Sequence, residues 1–219
     1  SASLAAFRSS LAGYSVSTQR VRLSAVRSLL VLCERERVYD WPVAHLLDPP
    51  EKEVRVPYDV PTQDQCLECI ALEPSERNRT ILRLLYYTGL RVSELVGLKW
   101  GDLRVQDGQL CAYVVGKGKK LGQVVFRPEL LPDLVCPITC SVHAQIVPLS
   151  RAAVGMICNK AWKRIGVKAE KPGLGPHLWR HCHGTHAIQN GADAVKVQNT
   201  LRHGQLRTTQ ENYLHLARE

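Results

Sequence analysis

Apolar residues recur at helical spacing along most of this chain, and the places where that spacing stops divide it into segments. Two helices are expected first, one around Leu4 to Leu11 and a longer one from about Ser17 to Arg37. In the second, Val21, Ser24, Ala25, Ser28, Leu29 and Leu32 make an apolar or small stripe of the kind that faces a core, and Arg20, Arg22, Arg27 and Arg35 fall largely off it. Prolines at 49, 50, 57 and 61 then break the periodicity and predict an extended, charged connector. Helical spacing resumes over 63–73, 76–88 and 93–98, with Ile81, Leu84 and Leu85 on one face of the middle helix. Thr62-x-x-Gln65 reads as a capping box opening the first of these, and Gly89 as the end of the second, with a new helix starting at Ser93.

The period then changes to that of strands over 102–106, 110–115 and 122–127, with Gly116 to Lys120 as a glycine-rich hairpin tip between the last two. Helices return over 150–164, 177–190, 193–201 and 208–217, the first capped by Ser150 and the last opened by Thr208-x-x-Glu211. The expected fold is therefore mainly α with a small three-stranded antiparallel β-sheet. The domain division is a small helical unit over 1–48, a linker over 49–61 and a larger unit over 62–219.

With 219 residues, 45% of them hydrophobic, the chain has enough apolar surface for a substantial core. No apolar run approaches the length of a membrane span, and the first residues lack a signal peptide's apolar stretch, so a soluble cytoplasmic protein is expected. The formal net charge is +9. Residues 1–55 carry 8 basic and 6 acidic side chains and the rest carry 21 and 14, so most of the excess lies in the larger unit. That balance favours a polyanionic partner, because each neutralised phosphate releases counterions.

Eight cysteines offer Cys66-x-x-Cys69 and Cys136-x3-Cys140 as metal-ligand pairs. Cys66, Cys69 and Ile70 share a helical face, however, as small core residues would, and the expectation is no metal and no disulfide. His181-Cys182-His183 resembles a His-x-His metal motif only superficially, since alternate positions on a helix point away from each other.

The chemistry concentrates near the C-terminus. Pro176-His177-Leu178-Trp179-Arg180-His181 is followed by Leu201-Arg202-His203, and Tyr213 stands ten positions beyond His203. An arginine grips two phosphate oxygens with a planar fork of donors, and a tyrosine hydroxyl can attack phosphorus and hold a strand covalently. A second arginine lies upstream in Thr88-Gly89-Leu90-Arg91-Val92-Ser93-Glu94-Leu95. Tyr86, Tyr87 and Tyr113 fit core roles by their neighbours, and Tyr213, in the same stretch as the histidines and Arg180, is the candidate nucleophile.

These residues resemble the tyrosine recombinases of the phage integrase family over roughly residues 57–217. The family's order of motifs is matched by Arg91 in its TGLR-x-SEL setting, Lys117 on the hairpin, His177 with Arg180, then His203 and Tyr213. Arg202 departs from the pattern, standing where the family has glycine. The resemblance implies the DNA breaking and rejoining fold, with residues 1–48 as part of a helical core-binding domain. It further implies Tyr213 as nucleophile, Arg91, Arg180 and His203 on the scissile phosphate, Lys117 as general acid and His177 assisting proton transfer. Lys119, Lys120 and Arg202 would add DNA contacts.

The partner implied is double-stranded DNA, bound by a tetramer on paired sites and by a monomer otherwise, in the nucleoid of a prokaryotic cytoplasm. No metal or other cofactor is implied. Non-catalytic DNA binding and relaxation of supercoils by a type IB topoisomerase-like enzyme are the alternative readings.

Overall fold

The computed structural model describes residues 2–39, 42–51, 60–115, 121–127, 130, 141–168 and 173–201. The chain divides into two compact units, Ser1–Pro57 and Tyr58–Glu219.

In the first unit, α1 (Ala2–Ser10) and α2 (Val16–Arg35) pack with a 3₁₀ turn at Ala44–Leu47. Leu11, Leu23 and Leu47 are its buried centre, with Leu4, Phe7, Val26 and Leu30 against them. Each fully buried leucine contributes roughly 2 kcal/mol, so this centre is small. The Ser15 hydroxyl caps α2, and Glu34 Oε1 accepts from Val43 and Ala44 N–H at 2.7 and 2.8 Å, capping the 3₁₀ turn. Here the sequence expectation is corrected. The stripe from Val21 to Leu32 faces outward, with Val21 and Leu29 69% and 58% exposed, and the buried face of α2 is Leu23, Val26 and Leu30. Several arginines also bond within the unit: Arg8 donates to Leu46 O, Arg20 to Pro50 O, and Arg27 pairs with Asp48.

The second unit begins where Thr62 and Gln65 close the expected capping box on α3 (Gln63–Ala71). α4 (Glu76–Thr88) follows from a Ser75 cap, and α5 (Val92–Gly97) from the turn after it. After a 3₁₀ turn at Trp100–Asp102, β1 (Leu103–Gln106), β2 (Gln109–Val115) and β3 (Leu121–Val125) form an antiparallel sheet in that order. The register pairs Leu103 with Ala112 and Ala112 with Val124, so these three side chains point the same way, into the core. Tyr113 lies on the other face, 43% exposed and donating to Gln106 Oε1, rather than in the core role expected for it.

α6 (Arg151–Arg164), α7 (Pro176–Gln189) and α8 (Ala194–Leu201) complete the described residues. The core is continuous from α3 to α7, with Cys66, Cys69, Ile81, Leu84, Leu85 and Leu95 buried and Trp162 stacked on Trp179 at 4.3 Å. Cys66 and Cys69 behave as core thiols. A hydrogen bond with Cys182 and burial push the Cys66 thiol up, and burial pushes Cys69 up to about 12. The hairpin tip at 116–120, Cys136, Cys140 and the segment expected as a helix over 208–217 lie outside the described residues.

Candidate active site

The site is assembled where the end of α4 meets α7. Burial of Ile81, Leu82, Leu84 and Leu85 on α4 and of Leu178, Trp179 and Cys182 on α7 presses the two helices together. α4 stops at Gly89, which takes left-handed backbone (φ +60°). A β-carbon built there would stand 2.7 Å from His183 Cδ2 and 2.8 Å from Leu201 Cδ2, so both the conformation and the space require glycine.

The chain leaves that turn directly into Arg91. Arg91, not a residue at 92 or 93, occupies the N-cap position of α5, one residue before the helix begins at Val92. Its amide donates to Glu94 Oε2 at 2.8 Å and its Nη1 donates to Glu94 Oε1 at the same distance. Glu94 is 7% exposed while the Arg91 side chain is 32% exposed. A buried carboxylate therefore fixes both the backbone and the guanidinium of an arginine that reaches toward solvent. The sequence showed the arginine but not this partner, although Glu94 at the third position of a short helix was the available signal.

Arg180 sits in the next layer, 3% exposed. Its Nη1 donates to Gly89 O at 2.6 Å and its Nη2 donates to Leu201 O. Gly89 O is two residues before Arg91, and Leu201 is two residues before His203. One guanidinium thus ties together the segments that carry two other predicted site residues. His177, three positions before Arg180, is exposed, and its ring packs edge-on against His181 at 4.6 Å. The shared helical spacing of His177 and Arg180 therefore places one at the surface and the other in the interior. Lys117, Lys119, Lys120, Arg202, His203 and Tyr213 lie outside the described residues.

Two more histidines of α7, His183 and His186, enter the same contact, and no motif in the sequence assigns either a role. His186 Nε2 donates to Pro61 O at 3.0 Å, which leaves its Nδ1 to accept from Tyr86 Oη at 2.9 Å. His183 Nδ1 donates to Tyr86 O at 2.7 Å. Burial lowers both imidazoles; for His183 the value falls to about 4, with Arg180, Arg127 and His186 adding to the effect and the bond to Tyr86 opposing it. Their spacing on α7, at three and six positions beyond Arg180, was the only sequence signal. Among the described residues no group of three or more His, Cys, Asp or Glu side chains is arranged to hold a metal ion. What the arrangement offers instead is fixed positive charge beside a glycine turn, suited to an anion that presents two oxygens to a guanidinium, as a carboxylate or phosphate does.

Comparison with known proteins points the same way. The Phage integrase family model matches residues 62–219. The tyrosine recombinase XerD of Neisseria meningitidis serogroup A is 32% identical over 220 residues, spanning 92% of this chain and 73% of the relative. The XerD protein of Staphylococcus aureus is 35% identical over 221 residues, spanning 90% and 70%. Among solved structures, the XerH site-specific recombinase bound to difH substrate aligns with a TM-score of 0.72 at 20% identity, over 99% of this chain and 68% of that one. The Tn1549 transposon integrase in complex with a circular intermediate DNA aligns at 0.66 and 16% identity, over 95% and 78%.

Proposed function

This chain belongs to the phage integrase family of tyrosine site-specific recombinases, and from that premise we propose that it cuts and rejoins DNA itself, through a 3′-phosphotyrosyl intermediate on Tyr213. The Tyr213 hydroxyl attacks the scissile phosphorus, the bond to the 5′ oxygen breaks, and Lys117 supplies the proton that leaves a free 5′ hydroxyl. Arg91, Arg180 and His203 stabilise charge on the non-bridging oxygens as phosphorus becomes five-coordinate, and His177 assists proton transfer. The 5′ hydroxyl of a partner strand then attacks the phosphotyrosine and releases Tyr213. The phosphoester bond energy is kept throughout, so the cycle consumes no nucleotide cofactor.

The observation that carries this reading is the position of Arg180. Through Gly89 O and Leu201 O it brings the segments leading to Arg91 and His203 to one guanidinium, as a site that surrounds a single phosphate needs. Glu94 supports it by holding Arg91 in a defined orientation before DNA arrives, which lowers the cost of ordering that side chain. The duplex partner follows from the net charge of +9 and from the DNA-bound state of the XerH and Tn1549 proteins. Lys119, Lys120 and Arg202 add contacts to the phosphate backbone. Strand exchange takes place in a tetramer on two paired sites, formed from monomers in the prokaryotic cytoplasm and nucleoid.

The test is covalent trapping. The chain is mixed with supercoiled plasmids carrying fragments of its genomic neighbourhood and quenched in detergent, and any DNA left on protein is sequenced. Attachment that disappears in Tyr213→Phe is expected, and it also yields the target site. Binding without attachment by the unaltered chain would overturn the chemistry in favour of DNA binding alone. A product that needs only one site would favour a relaxing enzyme over a recombinase.

A further inference from the structure

The end of α4 has an unusual hydrogen-bond account. A helix leaves its last four carbonyls without amide partners, and those in the interior must find other donors. Gly89 N–H serves Leu85 O at 3.1 Å and the Thr88 hydroxyl serves Leu84 O. Leu90 N–H, which would serve Tyr86 O in a continuing helix, turns instead to Thr88 Oγ1 at 3.3 Å. The donors to Tyr86 O and Gly89 O come from α7: His183 Nδ1 for the first and Arg180 Nη1 for the second. These two side chains are one turn apart, so a single face of α7 caps the turn that delivers Arg91.

Of the two, Arg180 is already assigned to the phosphate. His183 has the more intimate contact with the turn, since its Cδ2 and Cγ lie 2.7 and 3.2 Å from where a Gly89 β-carbon would be. The imidazole is the floor on which Gly89 rests. Resting on the recombinase chemistry proposed above, we infer that His183 is a positioning residue for strand cleavage: its ring, packed under Gly89 and tied to Tyr86 O, fixes where Arg91 stands relative to Arg180. His183 contacts no reacting atom. It acts through the turn, and burial keeps it uncharged, so it adds shape and one donor to the site without a further positive charge.

The test uses the full chain and the duplex recovered by trapping, with single-turnover cleavage and duplex affinity measured separately. His183→Ala, and His183→Asn as a polar alternative, are expected to lower the cleavage rate tenfold to a hundredfold while affinity changes less than threefold. His183→Phe restores the packing under Gly89 but not the bond to Tyr86 O, and is expected to recover the rate in part, to between the Ala variant and the unaltered chain. The decisive readout is a duplex with a methylphosphonate at the scissile position. Removing the phosphate's charge relieves the demand on the arginines, so the Ala and Asn defects should shrink to within threefold, whereas a general loss of fold would slow both substrates alike. Ala and Asn variants that cleave the ordinary duplex at the unaltered rate overturn the inference, as does a defect of equal size on both duplexes. Absence of cleavage by the unaltered chain overturns the strand-cleavage chemistry itself, and this inference with it.

Discussion

Each end of α4 is built around a buried glutamate paired with an arginine whose side chain is 32% exposed: Glu73 with Arg164 at 3.0 Å before the helix, and Glu94 with Arg91 at 2.8 Å after it. The residue types, burial and distances nearly match. The connectivity does not. Arg164 comes from the last turn of α6, and Glu73 also accepts from Ser75 N–H and Asn78, while its backbone carbonyl takes two bonds from Arg79. That corner therefore ties the last turn of α6 and the first turn of α4 to the loop that follows α3. Glu94 takes two bonds from Arg91, only three residues away, and these two hold that arginine's backbone and guanidinium together. A carboxylate bonded across elements stabilises a fold, whereas one bonded locally orients a single side chain. Physical linkage, more than burial, separates a structural ion pair from one that prepares a site.

Loss of the Glu73 carboxylate should have the largest effect, and it falls on stability. Burial by itself would raise the Glu73 carboxyl, but hydrogen bonds from Asn78, Ser75 and Arg164 outweigh it and hold the group below the ordinary carboxylate range. Removing it in Glu73→Ala strands those donors and should cost about 3 kcal/mol, seen as a fall in melting temperature of roughly 6–12 °C for a chain this size. Cleavage per folded molecule should be unchanged. A slow but stable Glu73→Ala protein would erase the distinction between the two corners.

Acid tests the α7 side of the second corner. His183 is neutral in the fold, with its value lowered from 6.5 to about 4, so the unfolded chain binds more protons below pH 6.5. Its contribution is complete above that pH and is lost as pH falls toward 4, amounting to about 2 kcal/mol by pH 5. His186 acts in the same direction. Thermal unfolding from pH 7 to 5 should therefore be less steeply pH-dependent in His183→Phe than in the unaltered chain; equal slopes would remove His183 from the acid response.

Glu94→Gln sharpens the contrast most directly. The amide keeps the shape and one acceptor but loses the charge that holds Arg91. Stability should change by less than about 1 kcal/mol, since the bonds to Arg91 span only three residues and the amide keeps an acceptor for them. Single-turnover cleavage should fall about tenfold, the equivalent of roughly 1.4 kcal/mol in the barrier. A change confined to the melting temperature would make Glu94 structural like Glu73.

Thr62→Ala removes one half of the α3 capping box and should cost about 1 kcal/mol by denaturant titration, with no effect on cleavage. Smallest of all is Arg27→Ala in the first unit. That pair with Asp48 is exposed on both sides, at 44% and 62%, and its loss should move stability by less than about 0.5 kcal/mol.

The sequence by itself determined the strong local signals. Thr62-x-x-Gln65, Ser150, Gly89 and the strand–hairpin pattern put elements where they stand, because caps, left-handed turns and period-two alternation are fixed by residues within a few positions of one another. The spacing of Arg91, His177 and Arg180 was legible for the same reason. Tertiary structure decided which faces and partners those elements use. On α2 the apolar or small residues from Val21 to Leu32 and the buried Leu23, Val26 and Leu30 both satisfy helical spacing, and only the packing of α1 and the 3₁₀ turn selects the second set. Tyr113 is on the outer face because the register turns Ala112 and Val124 inward. Arg180 reaches Gly89 across 91 residues, and His183 reaches Tyr86 across 97. Such bonds carry no local pattern: donor and acceptor look unrelated along the chain, and only the close packing of α4 on α7 brings a carbonyl without its helical amide to the side chain that satisfies it.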